Sequence, residues 1–387
     1  MTSHWLVRSL LHWRTWFRLV TLVIAVFIIW ATLTPSGRTY AKAFLFVPSL
    51  IHDSPVRPIN LFTKTPERVA VTFSDADTAW GGDLYLPATS PPHPAIIVSL
   101  GVSPAGRNDK RVVRLGEGLA RMGIVTLVPY SQNLVNKTLT RREIDFTVEA
   151  FRYLERHPAV APEKIGYLGV CVGSSLALLA AQDQRISDRV NFVSWFGGYY
   201  QLEDLLVSVA TKSYGQDGQR VAWNPDQLTR EVAVRRSVRF ADEADWGTLE
   251  PAILHRWDLT EEQLSALSPT GRLVHQFFRQ TDPERAYAIL DQMPPEAQGV
   301  FRVLSPATNL DRLRTRVFVM DDIGDELIPY VHSRRLAEAL EGTGLARHSK
   351  FSVFSHADLD ELANPVNSVP ELWSLYLHIH AIFDSIL

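Results

Sequence analysis

Lys164-Ile165-Gly166-Tyr167-Leu168-Gly169-Val170-Cys171-Val172-Gly173-Ser174-Ser175-Leu176-Ala177-Leu178-Leu179-Ala180-Ala181 decides how the chain is read. Lys164–Leu168 is a short apolar run of strand type, and Ser174–Gln182 is apolar over helical length. Between them, Gly169 to Gly173 leaves room only for a sharp turn. A side chain at the apex of such a turn is thrust out above a sheet. The residues two before and two after it must be small, because strand and helix meet there. With 21 glycines in 387 residues, glycine at both of those places around a given cysteine arises by chance about 0.3% of the time. Cys171 is therefore the candidate nucleophile. The N–H of Val172, at the helix start, can point at a developing oxyanion.

Outward from this turn, strands and helices alternate. Val69–Phe73 and Asp83–Leu86 read as a hairpin around Gly81-Gly82. Ala95–Leu100 and Ile124–Val128 are buried strands, separated by a helix over Val112–Met122 that Gly123 stops. Arg141–His157 is an amphipathic helix ended by Pro158, and Val190–Trp195 is a further strand. This alternation predicts an α/β fold with a parallel, doubly wound sheet. From 199 to 304 the texture changes to polar-amphipathic helices at Pro225–Arg239, Thr260–Leu267, Gly271–Arg279 and Pro283–Met293. Strands return at Val317–Met320 and Lys350–Phe354, with helices at Tyr330–Glu341 and Pro370–Leu387. The expected organisation is a core over 67–198 and 305–387, with a helical cap over 199–304 inserted between its parts.

Thirty-nine basic and 42 acidic residues give a formal charge of −3, and no long basic run suggests a nucleic-acid partner. A single cysteine excludes an internal disulfide framework and any multi-cysteine zinc site. At the N-terminus, Leu19–Gly37 carries no charge, and 18 or 19 helical residues would span about 27–29 Å. Arg8, Arg14 and Arg18 precede it, and Trp13, Trp16 and Trp30 sit near its ends. The expectation is a single-pass membrane anchor over 1–37, with the N-terminus cytoplasmic and the catalytic domain extracytoplasmic. A cleaved signal, with Ala41-Lys42-Ala43 as its small-x-small site, is the alternative. Residues 38–66 read as a connector.

A thiol nucleophile needs a base, and the base an orienting carboxylate. The loop after Val317–Met320 supplies Asp325, with Asp322 as runner-up, on the edge where such sheets bind ligands. Of the histidines that follow, His332, His378 and His380 fall in helices and His348 in a basic turn. Only His356 stands just past a strand in a short polar loop. The loop after Ala95–Leu100 would supply a second oxyanion donor, the backbone N–H of Val102 or Gly101.

Together Gly169–Gly173, Asp325-x-x-Ile328-Pro329 and His356 resemble the α/β-hydrolase superfamily, and most its dienelactone-hydrolase-type branch with a Cys-Asp-His triad. Gly81–Pro87 and Pro94–Gly101 are similar to that branch's first strands. The likeness spans roughly 67–198 and 305–387. The 199–304 insertion departs from it, as does Ser174-Ser175 where a glycine is usual after the elbow. The resemblance implies acyl transfer on a small-molecule ester, lactone or thioester. Cys171 would attack, His356 would carry protons and Asp325 would fix the imidazole. It implies neither metal nor organic cofactor. Two other readings fit the pattern: an acyltransferase of polyhydroxyalkanoate-synthase type, and a non-catalytic, membrane-tethered binding protein on the same fold.

Overall fold

The computed structural model describes residues 16, 18–22, 25–26, 28–50, 57–103, 105–352 and 365–387. Its first two strands, β1 (Glu67–Ser74) and β2 (Ala79–Leu86), pair antiparallel. Their turn is built on Asp75, whose Oδ1 accepts the N–H groups of Asp77 and Thr78. Gly81-Gly82 thus lie within β2 and not at the turn, and a Cβ on Gly82 would meet Leu127 at 3.1 Å.

The strands β3 (His93–Ser99), β4 (Val125–Tyr130), β5 (Val160–Val170) and β6 (Phe192–Phe196) follow. A small hairpin, β7 (Ser213–Gln216) and β8 (Gln219–Ala222), stands apart in the insertion, and β9 (Arg316–Asp322) and β10 (Ala346–Phe351) complete the main sheet. The order is β1-β2-β4-β3-β5-β6-β9-β10. Only β2 runs against the rest. This mixed, mostly parallel sheet with the elbow after β5 is the general α/β-hydrolase fold.

Alternation along the strands feeds two cores. Ile97, Leu127, Ile165, Tyr167, Val193 and Val317 point to one face and pack with helices of that side and the insertion. Ile96, Val98, Val128, Phe192 and Phe318 point to the other and meet Phe46, Leu119, Ile379 and Phe383. The main helices are α1 (Pro35–Leu50), α2 (Lys110–Arg121), α3 (Arg142–Glu155) and α4 (Val172–Ala181), then seven in the insertion. These seven are α5 (Leu202–Thr211), α6 (Gln227–Val238), α7 (Glu243–His255), α8 (Glu261–Ala266), α9 (Pro269–Phe278), α10 (Pro283–Leu290) and α11 (Pro295–Leu304). Polar caps start several of them: Asp226, Thr260, Ser268 and Asp282 each accept a first-turn N–H. The last two are α12 (Val331–Ala339) and α13 (Pro365–Ile386).

The N-terminal expectation is corrected. Among the described residues no helix is long and apolar enough to cross a membrane. The anchor, the membrane as a partner and the single-pass topology all fall with it. The chain bends at Thr34, and α1 begins at Pro35 inside the charge-free run. Arg38 turns back to donate to the carbonyls of Thr32 and Leu33. Within the stretch read as a connector, α1 buries Ala43 and Phe46 against the body, and Lys42 Nζ donates to the Met122 carbonyl at 2.7 Å.

Candidate active site

The apex of the β5–α4 turn is strained. Cys171 has φ 56° and ψ −137°, in the left-handed half of backbone space, where a non-glycine residue costs about 1–3 kcal/mol. Its surroundings hold it there. Its N–H donates to the Phe196 carbonyl at 2.9 Å, and its carbonyl accepts the Ser174 N–H at 2.9 Å. A Cβ on Gly169 would lie 2.4 Å from the Ser174 Cα, and one on Gly173 would lie 2.0 Å from the Ser99 carbonyl oxygen. Both glycines are thus required by backbone contact. Val172 opens α4, so its N–H has no acceptor within the helix. The loop after β3 comes close: a Cβ on Gly101 would sit 3.0 Å from the Cys171 Cβ and 3.1 Å from the Val172 nitrogen. Val102 lines the same cavity as Cys171 and Val172. The fold therefore brings Cys171, Val172, Gly101 and Val102 together.

Asp325 lies in the loop after β9 and is buried. Its Oδ1 accepts the N–H groups of Leu327 at 2.7 Å and Ile328 at 3.0 Å, which pins the loop so that Leu327 and Ile328 line the cavity with Cys171. Asp322, at the end of β9, accepts the Gly324 N–H at 2.7 Å. His356 lies outside the described residues. The other histidines are engaged in other ways. His332 accepts the Tyr200 N–H at Nδ1, and burial holds it neutral by pulling its pKa down to about 4. His348 stands 3.1 Å from Asp321 Oδ1 across neighbouring strands, within β10 and not in a turn. His378 sits 2.9 Å from Ser349 Oγ, with burial first, then Arg347 and His348, pulling it to about 3. His380 stacks on Tyr40.

Two spaces meet at Cys171. Under the insertion is an apolar cavity of about 40 Å³, walled by Val102, Cys171, Val172, Tyr199, Leu206 and Leu228. A hollow of about 810 Å³ runs from Cys171 towards α1, α2 and α13. The insertion is tied to the acid loop at successive residues. Trp223 Nε1 donates to the Asp325 carbonyl at 3.2 Å, the Asp226 N–H to Glu326 at 3.0 Å, and Thr229 Oγ1 to Leu327 at 2.9 Å.

Three site residues were not expected from the sequence: Tyr199, Trp223 and Arg236. Arg236 lines the small cavity and donates to the Leu139 carbonyl at 3.2 Å. Burial, then Arg239 and Arg141, pull its pKa down to about 10. The signal for Tyr199 was its place at the carboxyl end of β6, the edge of an α/β sheet where ligands bind. Among the described residues no cluster of three or more His, Cys, Asp or Glu could hold a metal ion.

A protein family described as BAAT / acyl-CoA thioester hydrolase C terminal matches residues 143–244. Acyl-coenzyme A thioesterase 1 of Rattus norvegicus is 33% identical over 98 residues, 25% of this chain and 23% of that protein. A probable 2-oxo-3-(5-oxofuran-2-ylidene)propanoate lactonase from Bradyrhizobium sp is 46% identical over 57 residues, 14% of this chain and 23% of that protein. The chain thus spans about a quarter of the length of the curated relatives it matches. Among solved structures, a thermostable carboxylesterase cloned from a metagenomic library has a TM-score of 0.46 at 12% identity, covering 90% of this chain and 96% of that one.

Proposed function

We propose that the protein hydrolyses a carboxylic ester-type bond, in an ester, lactone or thioester, through an acyl intermediate on Cys171. The observation that carries this reading is the strained cysteine at the elbow apex, with the start of α4 and the Gly101–Val102 loop beside it. In the proposed reaction, Cys171 Sγ attacks the carbonyl carbon. The carbonyl oxygen takes up the negative charge, facing the backbone N–H of Val172 and that of Val102 or Gly101. His356 takes the thiol proton and returns it to the leaving group, Asp325 orients the imidazole, and water then releases the acid. By their names, the matched relatives include thioesterases and a lactonase, enzymes that cleave bonds of this class, and this supports the reading.

Intact-mass analysis of the full chain with a panel of activated esters and thioesters tests it. An acyl adduct should map to Cys171, vanish in Cys171→Ala and accumulate in His356→Ala. Release of free acid, and not transfer to an added alcohol or thiol, separates hydrolysis from acyl transfer. A folded protein that forms no adduct and turns over nothing across the panel would overturn the reading.

A further inference from the structure

The two spaces that meet at Cys171 differ in kind. Val102, Cys171, Leu228 and Leu327 line both, so the nucleophile stands on the boundary between them. The large hollow carries charge in its wall, at Asp109, Arg111, Arg114 and Glu326. The small cavity offers almost none. Of the polar side chains around it, Thr229 donates its hydroxyl to the Leu327 carbonyl at 2.9 Å. Arg236 donates to the Leu139 carbonyl at 3.2 Å and lays its guanidinium 4.5 Å from the centre of the Phe240 ring. The Tyr199 hydroxyl is itself buried and presents no surface. What faces the space beside Cys171 is almost wholly hydrocarbon.

The walls of this cavity are fixed. Leu205 and Leu206 of α5 and Val232 and Ala233 of α6 close it on the side of the insertion. The Thr229 bond ties α6 to the acid loop, and the Arg236 bond ties it to the chain just before α3. Across the space, Leu327 and Ile328 are held by their N–H bonds to Asp325 Oδ1. Packed walls of this kind yield to an extra methylene only at a cost in strain. The volume, about 40 Å³, takes about three non-hydrogen atoms.

We propose that this cavity is the acyl-chain pocket of the enzyme, and that it selects short, uncharged apolar acyl groups up to about butanoyl in size. The inference rests on the acyl-enzyme reading above and names its substrate class. Once Cys171 Sγ is bonded to the acyl carbon, the chain beyond that carbon begins at the cavity's own lining. The leaving group has to be reached by a proton donor and then replaced by water. A dry hydrocarbon pocket does not admit water, whereas the polar-walled hollow does, so the leaving group belongs on that side. Each CH₂ that enters the cavity leaves water for hydrocarbon, which is worth about four-fold in acylation. A longer chain has to displace a fixed wall. A carboxylate on the chain would be buried without a partner.

The test is single-turnover acylation of the full chain by S-phenyl thioesters, a series that varies the acyl group and keeps one leaving group. The rate should climb about four-fold per CH₂ from acetyl to butanoyl and fall at least about ten-fold by octanoyl. The succinyl thioester, with a carboxylate where the butanoyl chain ends, should react more than about 10²-fold slower than butanoyl. Ala233→Leu fills part of the cavity and should lower the butanoyl-to-acetyl ratio by about 10²-fold. Leu206→Ala enlarges it and should raise the hexanoyl-to-butanoyl ratio by about ten-fold. These ratios do not depend on how much of each variant folds. Equal rates from acetyl to octanoyl would overturn the proposal, and so would ratios that neither variant moves. It would fall as well if butanoyl esters of lengthening alcohols showed the size limit on the leaving group instead. If the unmodified protein forms no adduct at Cys171 with any ester or thioester, the acyl-enzyme reading itself fails and takes this inference with it.

Discussion

At Cys171 the reactivity proposed for the thiol would come at a cost in stability that one substitution can measure. The left-handed backbone there is held by bonds to Phe196 and Ser174 and strains any residue that has a Cβ. Cys171→Gly should therefore raise the unfolding free energy by about 1 kcal/mol while abolishing the adduct, read by urea titration beside intact mass. Gly173→Ala should act the other way. Its Cβ would lie 2.0 Å from a carbonyl oxygen of β3, which cannot move without shifting the strand. A loss of about 3 kcal/mol, or failure to fold, is expected, and a midpoint equal to that of the unmodified protein would contradict the steric account. These positions were legible in the sequence because the demand is local: a tight turn between strand and helix admits glycine and little else. Tyr199 was legible only through its place at the carboxyl end of β6; that it lines a cavity with Cys171 depends on residues far apart in the chain, which no spacing rule records.

Among the elements, the sheet could be read and much of the insertion could not. Short apolar runs located β2 and five of the parallel strands, since a strand buried on both faces has little other composition open to it, whereas β10, a polar edge strand over Ala346–Phe351, was expected only from Lys350 onward. The first hairpin was displaced by four residues because an Asp75 turn closed it before the glycines were reached. In the insertion, α5 was hidden because Gln201 stands at its start with no side-chain cap to mark it. Helix α7 was hidden by Pro251 within it. The β7–β8 hairpin did carry a turn signal, Asp217-Gly218, both at positive φ. Nor could the sequence tell that the insertion is fastened to the acid loop through Trp223, Asp226 and Thr229. That fastening makes the insertion part of the site's framework as well as its cover. Trp223→Phe, which removes the bond to the Asp325 carbonyl, should cost about 0.5–1.5 kcal/mol of stability and slow acylation several-fold. Unaltered acylation kinetics would show that Asp325 is held well enough without the insertion.

For the whole molecule, hydropathy at the N-terminus misled because it is a local quantity, whereas α1 is settled by what it packs on: Phe46 and Ala43 enter the core shared by α2 and α13. The same close packing leaves two histidines, His332 and His378, deep in the body and neutral, with pKa values drawn down to about 4 and about 3. In the unfolded chain each takes a proton near pH 6.5. Below that pH the unfolded state therefore holds more protons than the folded one, and stability falls as pH falls. The contribution is complete above about 6.5 and is lost through the window down to about 4 for His332 and about 3 for His378. Each histidine contributes a slope of about 1.4 kcal/mol per pH unit inside its window. Glu143 and Glu203, whose carboxyls burial pushes up, oppose this at the acid end, because there the folded chain holds the extra proton. The histidine part is isolated by comparing the unmodified protein with His378→Leu in urea titrations between pH 6 and 5. His378 faces Ser349, Phe318 and Phe351 and feels the charges of Arg347 and His348, so the difference in slope reports His378 together with its coupling to His348. Whatever the variant loses in absolute stability, its slope should be shallower by close to one proton. Parallel profiles would mean that His378 is already protonated in the folded protein, and that burial in this core does not exclude its charge.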